Sequence, residues 1–208
     1  MEQAVLKILG RNTSSNVQKV LWLCGEIGLP FERSDVGGAF GGNKTAQYLA
    51  LNPNGLVPTI DEDGFILWES NPIVRYLAAK HAMGTLYPAD LQRRADADRW
   101  MDWQQTVVAL PMGLLFRALL RSPPDNVEQA EVDGARRRAL AALVILDVQL
   151  ARSRYVAGPT LTMADIALGF VPHRWLKMPI ERPQLKNLER WYRELCERPA
   201  YREHVASA

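Results

Sequence analysis

The stretch Asn52-Pro53-Asn54-Gly55-Leu56-Val57-Pro58 decides how the first half of this chain is interpreted. Two short apolar runs follow it, separated by the Asp63-Gly64 turn, and Glu69-Ser70 then precedes a helical pattern. A proline after an Asn-Gly turn is typical of the start of an edge strand, and a serine at a helix start can hold a carboxylate together with the helix N–H groups. This order predicts an exposed strand edge, able to dock another extended backbone, beside an anion-binding helix N-terminus.

The residues on either side of this stretch alternate between strand and helix patterns, which is typical of a sheet with helical crossovers. Residues 5–9 and 31–36 are predicted strands, and an apolar stripe at helical spacing that ends at Gly28 predicts a helix between them. Cys24 falls on that stripe and is expected in the core. The remaining predictions are a short helix over residues 45–51, a hairpin over 58–68, and a helix capped by Ser70.

Beyond a linker at residues 81–90 the sequence predicts only helices, over residues 89–120, 126–153, 163–173 and 182–197. We expect Pro111 and the following Met112-Gly113 to bend or interrupt the first of these helices. Thr162-Met163-Ala164-Asp165 has the pattern of a capping box. The sequence therefore predicts an α/β domain over residues 1–82 and an all-helical domain over residues 89–208.

Composition excludes several classes of function. The net charge of +2 gives no argument for nucleic acid, and no apolar stretch approaches the roughly 20 residues of a membrane span. Two distant cysteines exclude a C-x-x-C redox site, and three scattered histidines argue against zinc. We expect a folded cytoplasmic protein that has no metal site and binds neither nucleic acid nor membrane.

Asn12-Thr13-Ser14-Ser15-Asn16 runs from the end of a strand into the start of a helix. One of these side chains could serve as the N-cap while the others fill the turn. The same geometry would also direct a hydroxyl and the first helical N–H groups at one point, where a bound thiol would be stabilised as a thiolate.

The other two segments also have structural alternatives. Val57-Pro58 can simply begin an edge strand, and Glu69-Ser70 can be a surface acid followed by a cap.

The order of these elements resembles the cytosolic glutathione transferase family over essentially the whole chain. The resemblance implies a thioredoxin-like N-terminal domain that binds glutathione and an all-helical C-terminal domain that lines the pocket for the electrophile. It implies that Val57 pairs with the cysteinyl backbone of glutathione, with Pro58 in the cis form, and that Glu69 and Ser70 hold the γ-glutamyl end.

Two further positions follow from the resemblance. Asn43 or Lys44 falls where the family often binds the glycyl carboxylate. The Trp191-Tyr192 pair and the segment at residues 198–201 resemble the family's C-terminal region.

The resemblance also indicates the catalytic position. In the serine- and cysteine-dependent classes this position lies fourteen residues before the glycine that ends the first helix, and here 28 − 14 gives Ser14. Theta-like and zeta-like enzymes carry serine there, whereas the bacterial nu-like class carries threonine there and asparagine at the position of Asn16. Ser14 is the first candidate and Asn16 the second, and Thr13 and Ser15 stay open as alternatives.

Other catalytic classes of the family do not fit the sequence. No tyrosine precedes Tyr48, which excludes the tyrosine-dependent classes, and the chain lacks the cysteine of omega-like and beta-like enzymes. The absence of that cysteine argues against a mixed disulfide with a protein thiol.

The family's helical domain implies walls for an electrophile pocket at Trp103, Met112, Phe116 and Arg117, although apolar residues at such positions are more often core. The predicted function is a glutathione transferase that activates the thiolate of glutathione, its cosubstrate, for attack on a small electrophile. No other cofactor is implied, and the resemblance implies a homodimer. The alternatives are a nu-like reductase of disulfides or peroxides that uses glutathione, and a non-catalytic binding module that keeps the fold.

Overall fold

A computed structural model describes residues 5–120 and 128–207, which form two compact units. One unit comprises the residues before Gly84 together with those from Cys196 onward, and the other comprises Gly84–Leu195. The first contains a four-stranded sheet with helices and the second contains helices, so the predicted fold class is confirmed. None of the helices in the described part of the chain is long and apolar enough to cross a bilayer.

The N-terminal unit is built around one mixed sheet. Its elements are β1 (Leu6–Leu9), α1 (Ser15–Ile27), β2 (Phe31–Ser34), α2 (Ala46–Leu51), β3 (Thr59–Glu62), β4 (Phe65–Trp68) and α3 (Ser70–His81). The strand order is β2-β1-β3-β4, in which β1 and β2 are parallel and β3 is antiparallel to both of its neighbours. The parallel pair requires a crossover, which α1 supplies. Asp63 and Gly64, both at positive φ, close the β3–β4 hairpin.

Helix α1 supplies much of the core of this unit. Its buried face includes Val17, Val20, Leu21 and Cys24, as the apolar stripe predicts. The helix ends at Gly28, whose φ of 63° lets its N–H reach the carbonyl oxygens of the preceding turn. Cys24 is fully buried, which confirms its assignment to the core.

Several predicted boundaries in this unit are corrected by the structure. The residue before helix α3 is Glu69, at φ 74°, so Ser70 is the first helical residue rather than the cap. Strands β1 and β2 are shorter than predicted, because their register extends only from Leu6↔Phe31 to Leu9↔Ser34.

The second unit is helical. Its elements are α4 (Leu91–Trp103), α5 (Ala109–Leu120), α6 (Gln129–Arg152), α7 (Met163–Leu168), α8 (Phe170–Lys177) and α9 (Lys186–Cys196). The helix predicted over residues 163–173 is divided at Gly169, and the last long helix starts later than residue 182. The predicted start of the α6 helix, at residues 126 and 127, lies outside the described residues.

The expected interruption of the first long helix is present but lies further upstream. A π-helical turn, Gln104–Val108, separates α4 from α5, and the N–H of Ala109 bonds to the Gln104 carbonyl. Pro111 has no N–H, and its ring excludes the carbonyl four residues earlier from the usual helical position. The distortion therefore precedes the proline by about one turn, and Pro111 itself is helical.

The chain's last segment belongs to the N-terminal unit, not to the helical domain predicted over residues 89–208. This segment includes the short helix α10 (Pro199–Tyr201) and a π-helical turn, Arg202–Ala206. Arg198 donates from Nε to Glu26 Oε1 of α1 at 2.7 Å. The Tyr201 ring meets Trp22 edge-on, with centroids 4.9 Å apart. These contacts explain why the segment is not part of the helical unit.

Candidate active site

The strand ends that border the predicted site lie in one row across the sheet. Leu9, the last residue of β1, pairs with Ser34 of β2 on one side and with Thr59 of β3 on the other. Thr59 in turn pairs with Trp68, the last residue of β4. Neighbouring strands are about 4.8 Å apart. The segment after β1, the segment after β4 and the segment before β3 therefore all meet the sheet at the same end. The three segments that the sequence singled out are thus brought together.

The turn between β1 and α1 presents a hydroxyl at a helix N-terminus. Ser14 is the N-cap of α1, with φ −86° and ψ 122°, and its side chain makes no capping hydrogen bond. Ser14 and Ser15 are half-buried, whereas Thr13 and Asn16 are exposed. The first turn of α1 contains no acidic residue, so no carboxylate within that turn opposes the positive end of the helix dipole. An anion at this point would meet a hydroxyl and unopposed N–H groups.

Gly10 allows this turn to lie against the strand edge. A Cβ at Gly10 would come within 2.6 Å of a Val17 methyl group and 3.2 Å of Val57 Cβ. The missing side chain therefore permits close approach between the β1–α1 turn and Val57, which are 47 positions apart in the sequence (57 − 10).

Val57 offers its backbone for pairing. Its peptide bond to Pro58 is cis, as the resemblance implies. In the part of the chain that the structure describes, neither the N–H nor the C=O of Val57 makes a hydrogen bond. Val57 lies two residues before β3, so an extended peptide could pair with it by strand addition.

A polar cluster fixes the residue before Val57. The Leu56 carbonyl accepts hydrogen bonds from the Tyr48 hydroxyl at 2.6 Å and from Asn52 Nδ2 at 2.9 Å. Both side chains also contact the Thr59 hydroxyl, at 2.9 and 3.2 Å respectively. Burial raises the pKa of Tyr48, which therefore remains a neutral donor at physiological pH. Sequence reasoning missed Tyr48 and Asn52 as supporting residues, although Asn52 opens the quoted stretch.

Glu69 and Ser70 lie at the N-terminus of α3. Glu69 combines φ 74° with ψ 117°, a conformation that non-glycine residues rarely adopt and that occurs most often at functional sites. Ser70 is buried, with 3% of its surface exposed. The first turn of α3 has no acidic residue, so this terminus can also receive an anion. Sequence reasoning missed a third participant, the buried Lys19 of α1, whose Nζ lies 3.4 Å from Ser70 Oγ.

Asn43 and Lys44 support the turn that leads to Val57. Asn43 Nδ2 donates to the Gly55 carbonyl at 2.7 Å, and Lys44 Nζ donates to the Asn54 carbonyl at 3.2 Å. Asn43 thus has a structural role in this structure. The Lys44 ammonium is exposed and has three hydrogens, so this one bond leaves it able to bind a carboxylate.

The four predicted pocket walls lie in different local environments. Trp103 lines a cavity of about 440 Å³ formed by residues of α4 and α6. Met112 is buried in the core of the helical unit. The Phe116 ring lies beneath the guanidinium of Arg174, 4.0 Å from its centroid, and Arg117 is exposed.

Cys24 is not suited to act as a nucleophile. Burial raises the pKa of its thiol to about 12, and its surface is fully covered. A buried thiol in apolar surroundings is unreactive. Cys24 therefore has a structural role in the core.

Comparison with known proteins agrees with this geometry. Residues 13–80 match the family model described as "Glutathione S-transferase, N-terminal domain", and residues 101–199 match "Glutathione S-transferase, C-terminal domain". The chain is 41% identical over 204 residues to Glutathione S-transferase GstB of Escherichia coli, covering 97% of this chain and 98% of that protein. It is 32% identical to Glutathione S-transferase 3 of Zea mays over 217 residues, covering 98% and 95% of the two chains.

A solved structure is similar over the same extent. The theta class glutathione S-transferase of Xanthomonas axonopodis pv. citri, crystallised with glutathione bound, superposes with a TM-score of 0.94 at 45% identity and 98% coverage of both chains. The fold defines a two-domain protein, with a thioredoxin-like α/β unit followed by a helical unit. The chain belongs to the glutathione S-transferase family of enzymes.

Proposed function

We propose that this protein is a glutathione transferase that binds glutathione along the Val57 backbone with the sulfur next to Ser14. The observation that carries the proposal is the unpaired N–H and C=O of Val57 beside the N-terminus of α1. The cysteinyl residue of glutathione has a backbone C=O and N–H that could pair with the N–H and C=O of Val57. Pairing there would bring the thiol to the turn before α1, because Gly10 of that turn lies against Val57.

The γ-glutamyl end fits the start of α3. Its α-carboxylate would be held by the Ser70 hydroxyl and by the first N–H groups of the helix. Its ammonium would pair with Glu69, whose strained backbone fixes the carboxylate at this end of the sheet. At the other end of glutathione, the exposed ammonium of Lys44 is the candidate for the glycyl carboxylate.

The chemistry proposed for Ser14 is stabilisation of a thiolate. The bound thiol loses its proton to solvent, and the sulfur is held by the Ser14 hydroxyl and the N–H groups of α1. The thiolate then forms a bond to an electrophilic carbon, and the leaving group departs with the electron pair of the broken bond. In this mechanism glutathione is a cosubstrate, and no further cofactor takes part.

Asn16 supports a second candidate, the reduction of a disulfide or peroxide by glutathione. Its side chain is exposed in the first turn of α1, close in sequence to Ser14, and could donate to the same sulfur. Turnover of a chloronitroaromatic compound would indicate conjugation, whereas turnover of a small disulfide alone would indicate the reductase.

The test is capture of the purified protein on immobilised glutathione, with elution by free glutathione, followed by assay of both reactions. We expect capture and measurable conjugation of a chloronitroaromatic. Capture without either activity would favour the non-catalytic binding module. A protein that is neither captured nor active would overturn the proposal.

We further propose a cytoplasmic homodimer. Cytoplasm keeps glutathione reduced, and Cys24 and Cys196 are both free thiols. A second copy would cover an apolar face of α6, where Val144, Ile145 and Val148 are 43%, 51% and 49% exposed.

A further inference from the structure

Lys19 is buried where a lysine is rarely found. It lies in the buried run of α1 from Val17 to Cys24 and has 2% of its surface exposed. Lysine is almost never fully buried unless its ammonium is held by specific partners. The position of those partners therefore indicates what the ammonium does.

Lys19 contacts the first two residues of α3. Lys19 Nζ donates to Ser70 Oγ at 3.4 Å and to Asn71 Oδ1 at 3.2 Å. Both acceptors are themselves buried, at 3% and 1% exposure. The contacts span 51 and 52 residues of sequence, so they join the two helices whose N-termini form the site.

These contacts orient the Ser70 hydroxyl. An ammonium can only donate, so Ser70 Oγ accepts from Lys19 and its own hydrogen must point to another acceptor. The positive charge of Lys19 adds to the positive end of the α3 dipole. Both effects favour a negatively charged acceptor over a neutral one at this helix start.

We propose that Lys19 is a positioning residue for the α-carboxylate of the γ-glutamyl group, which acts through Ser70 without touching the ligand. This inference rests on the proposed function, in which Ser70 binds that carboxylate. The charge of Lys19 on α1 then explains why the subsite at the start of α3 selects a carboxylate.

The test compares two ligands by titration calorimetry: glutathione, and its analogue in which the γ-glutamyl α-carboxylate is replaced by a carboxamide. Lys19→Gln removes the charge, and Lys19→Arg retains it. Lys80→Gln is the matched control, because it changes the net charge of the protein by the same amount. Lys80 lies on α3, is exposed, and has its Nζ 2.9 Å from Glu62 Oε1.

Charge-assisted hydrogen bonds of this kind predict that Lys19→Gln weakens glutathione binding by about tenfold or more. Binding of the carboxamide should change by about twofold or less, since the neutral group gains little from the charge. We expect Lys19→Arg to recover most of the affinity and Lys80→Gln to resemble the wild type.

Equal losses for the two ligands in Lys19→Gln would assign a purely structural role and overturn the proposal, as would unchanged glutathione binding. If Lys19→Gln does not fold, the same question is answered on the wild-type protein labelled with ¹³C at the lysine ε-carbon. The Lys19 signal should then shift with glutathione and stay in place with the carboxamide, and equal shifts would overturn the proposal. A wild-type protein that binds neither ligand would instead overturn the proposed function.

Discussion

Ser14 is an N-cap whose side chain does not cap. A serine at this position usually accepts a hydrogen bond from an N–H of the first turn, but the Ser14 side chain makes no such bond. The pattern of polar residues at positions 12–16 predicted a helix start and left four hydroxyl and amide candidates open. Only the folded turn distinguishes them, because it half-buries Ser14 and Ser15 and exposes Thr13 and Asn16.

The first prediction concerns the Ser14 hydroxyl. Ser14→Ala removes one donor to the bound sulfur, so the pKa of the bound glutathione thiol should rise and the turnover number should fall by about tenfold or more. Glutathione affinity should stay within about twofold, since the strand edge and both termini of the ligand keep their contacts. The measurements are the ultraviolet absorbance of the bound thiolate against pH and the pH profile of the turnover number.

Ser15→Ala is the matched control for this prediction, because Ser15 has similar exposure and is the first residue of the same helix. Unchanged turnover in Ser14→Ala together with reduced turnover in Ser15→Ala would transfer the role to Ser15. If neither variant loses activity, the backbone N–H groups or Thr13 stabilise the thiolate.

At the scale of single elements, the capping box at the start of α7 is confirmed. Thr162 accepts from the Ala164 N–H at 3.3 Å, and the Thr162 N–H donates to Asp165 Oδ2 at 2.9 Å. The structure shows a larger role than the motif predicts, since Asp165 Oδ1 also accepts from the Val156 N–H and from Trp191 Nε1. A fully buried carboxylate thus joins a loop and two helices of the helical unit.

The second prediction follows from these bonds. Asp165→Ala would leave several buried donors without acceptors and should lower the free energy of unfolding by about 3 kcal/mol or more. Asp90→Ala is the control, because Asp90 caps α4 with a single bond to the Arg93 N–H at an exposed site; its loss should be about 1 kcal/mol. Urea unfolding measures both, and equal losses would contradict a special role for Asp165.

The third prediction is the pH dependence that Asp165 causes. Burial raises the pKa of this carboxyl from 3.8 to about 6, so the folded protein holds the proton more tightly than the unfolded chain. The stability that the protonated Asp165 carboxyl contributes is therefore fully present below pH 3.8 and is lost as the pH rises through about 6. Relative to Asp165→Asn, which does not titrate, the wild type should lose up to about 3 kcal/mol over this range.

Urea unfolding of both proteins from about pH 4 to about pH 8 measures this difference. His173 titrates in the opposite sense, because burial and then the charges of Lys177 and Arg174 lower its pKa to about 4. It is present in both proteins, so its effect cancels in the comparison. A difference that does not vary with pH would show that Asp165 keeps an ordinary pKa.

Two elements show why boundaries were harder to predict than the existence of helices. Glu69 replaces Ser70 as the residue before α3 because it adopts φ 74°, which the sequence pattern does not reveal. The first long helix is interrupted at 104–108 rather than at Pro111, because a proline disturbs the carbonyl one turn before it. Periodicity locates a buried stripe, but the ends of a helix depend on local backbone geometry.

At the scale of the whole molecule, the proposed homodimer would form through the exposed apolar face of α6. Val144, Ile145 and Val148 lie within about one turn of each other on one side of the helix. Apolar side chains grouped in this way on a surface are typical of an interface.

The fourth prediction tests this face. Ile145→Glu would place a charge in the interface and should convert a dimer to a monomer, measured as mass by light scattering during gel filtration. Ile145→Leu keeps the apolar surface and should remain dimeric. A wild-type protein that is monomeric at every concentration, or an Ile145→Glu variant that remains dimeric, would contradict the assignment.

The order of patterns along the sequence determined the fold class, the apolar stripe of α1 and the three segments of the candidate site. These features follow from periodicity and turn chemistry, which act over a few residues. Only the tertiary structure decided that the last residues join the N-terminal unit through Arg198 and Tyr201. It also decided that a lysine of α1 is buried against the start of α3. Such contacts join residues more than fifty positions apart, and local patterns contain no information about which distant partner will compensate a buried charge.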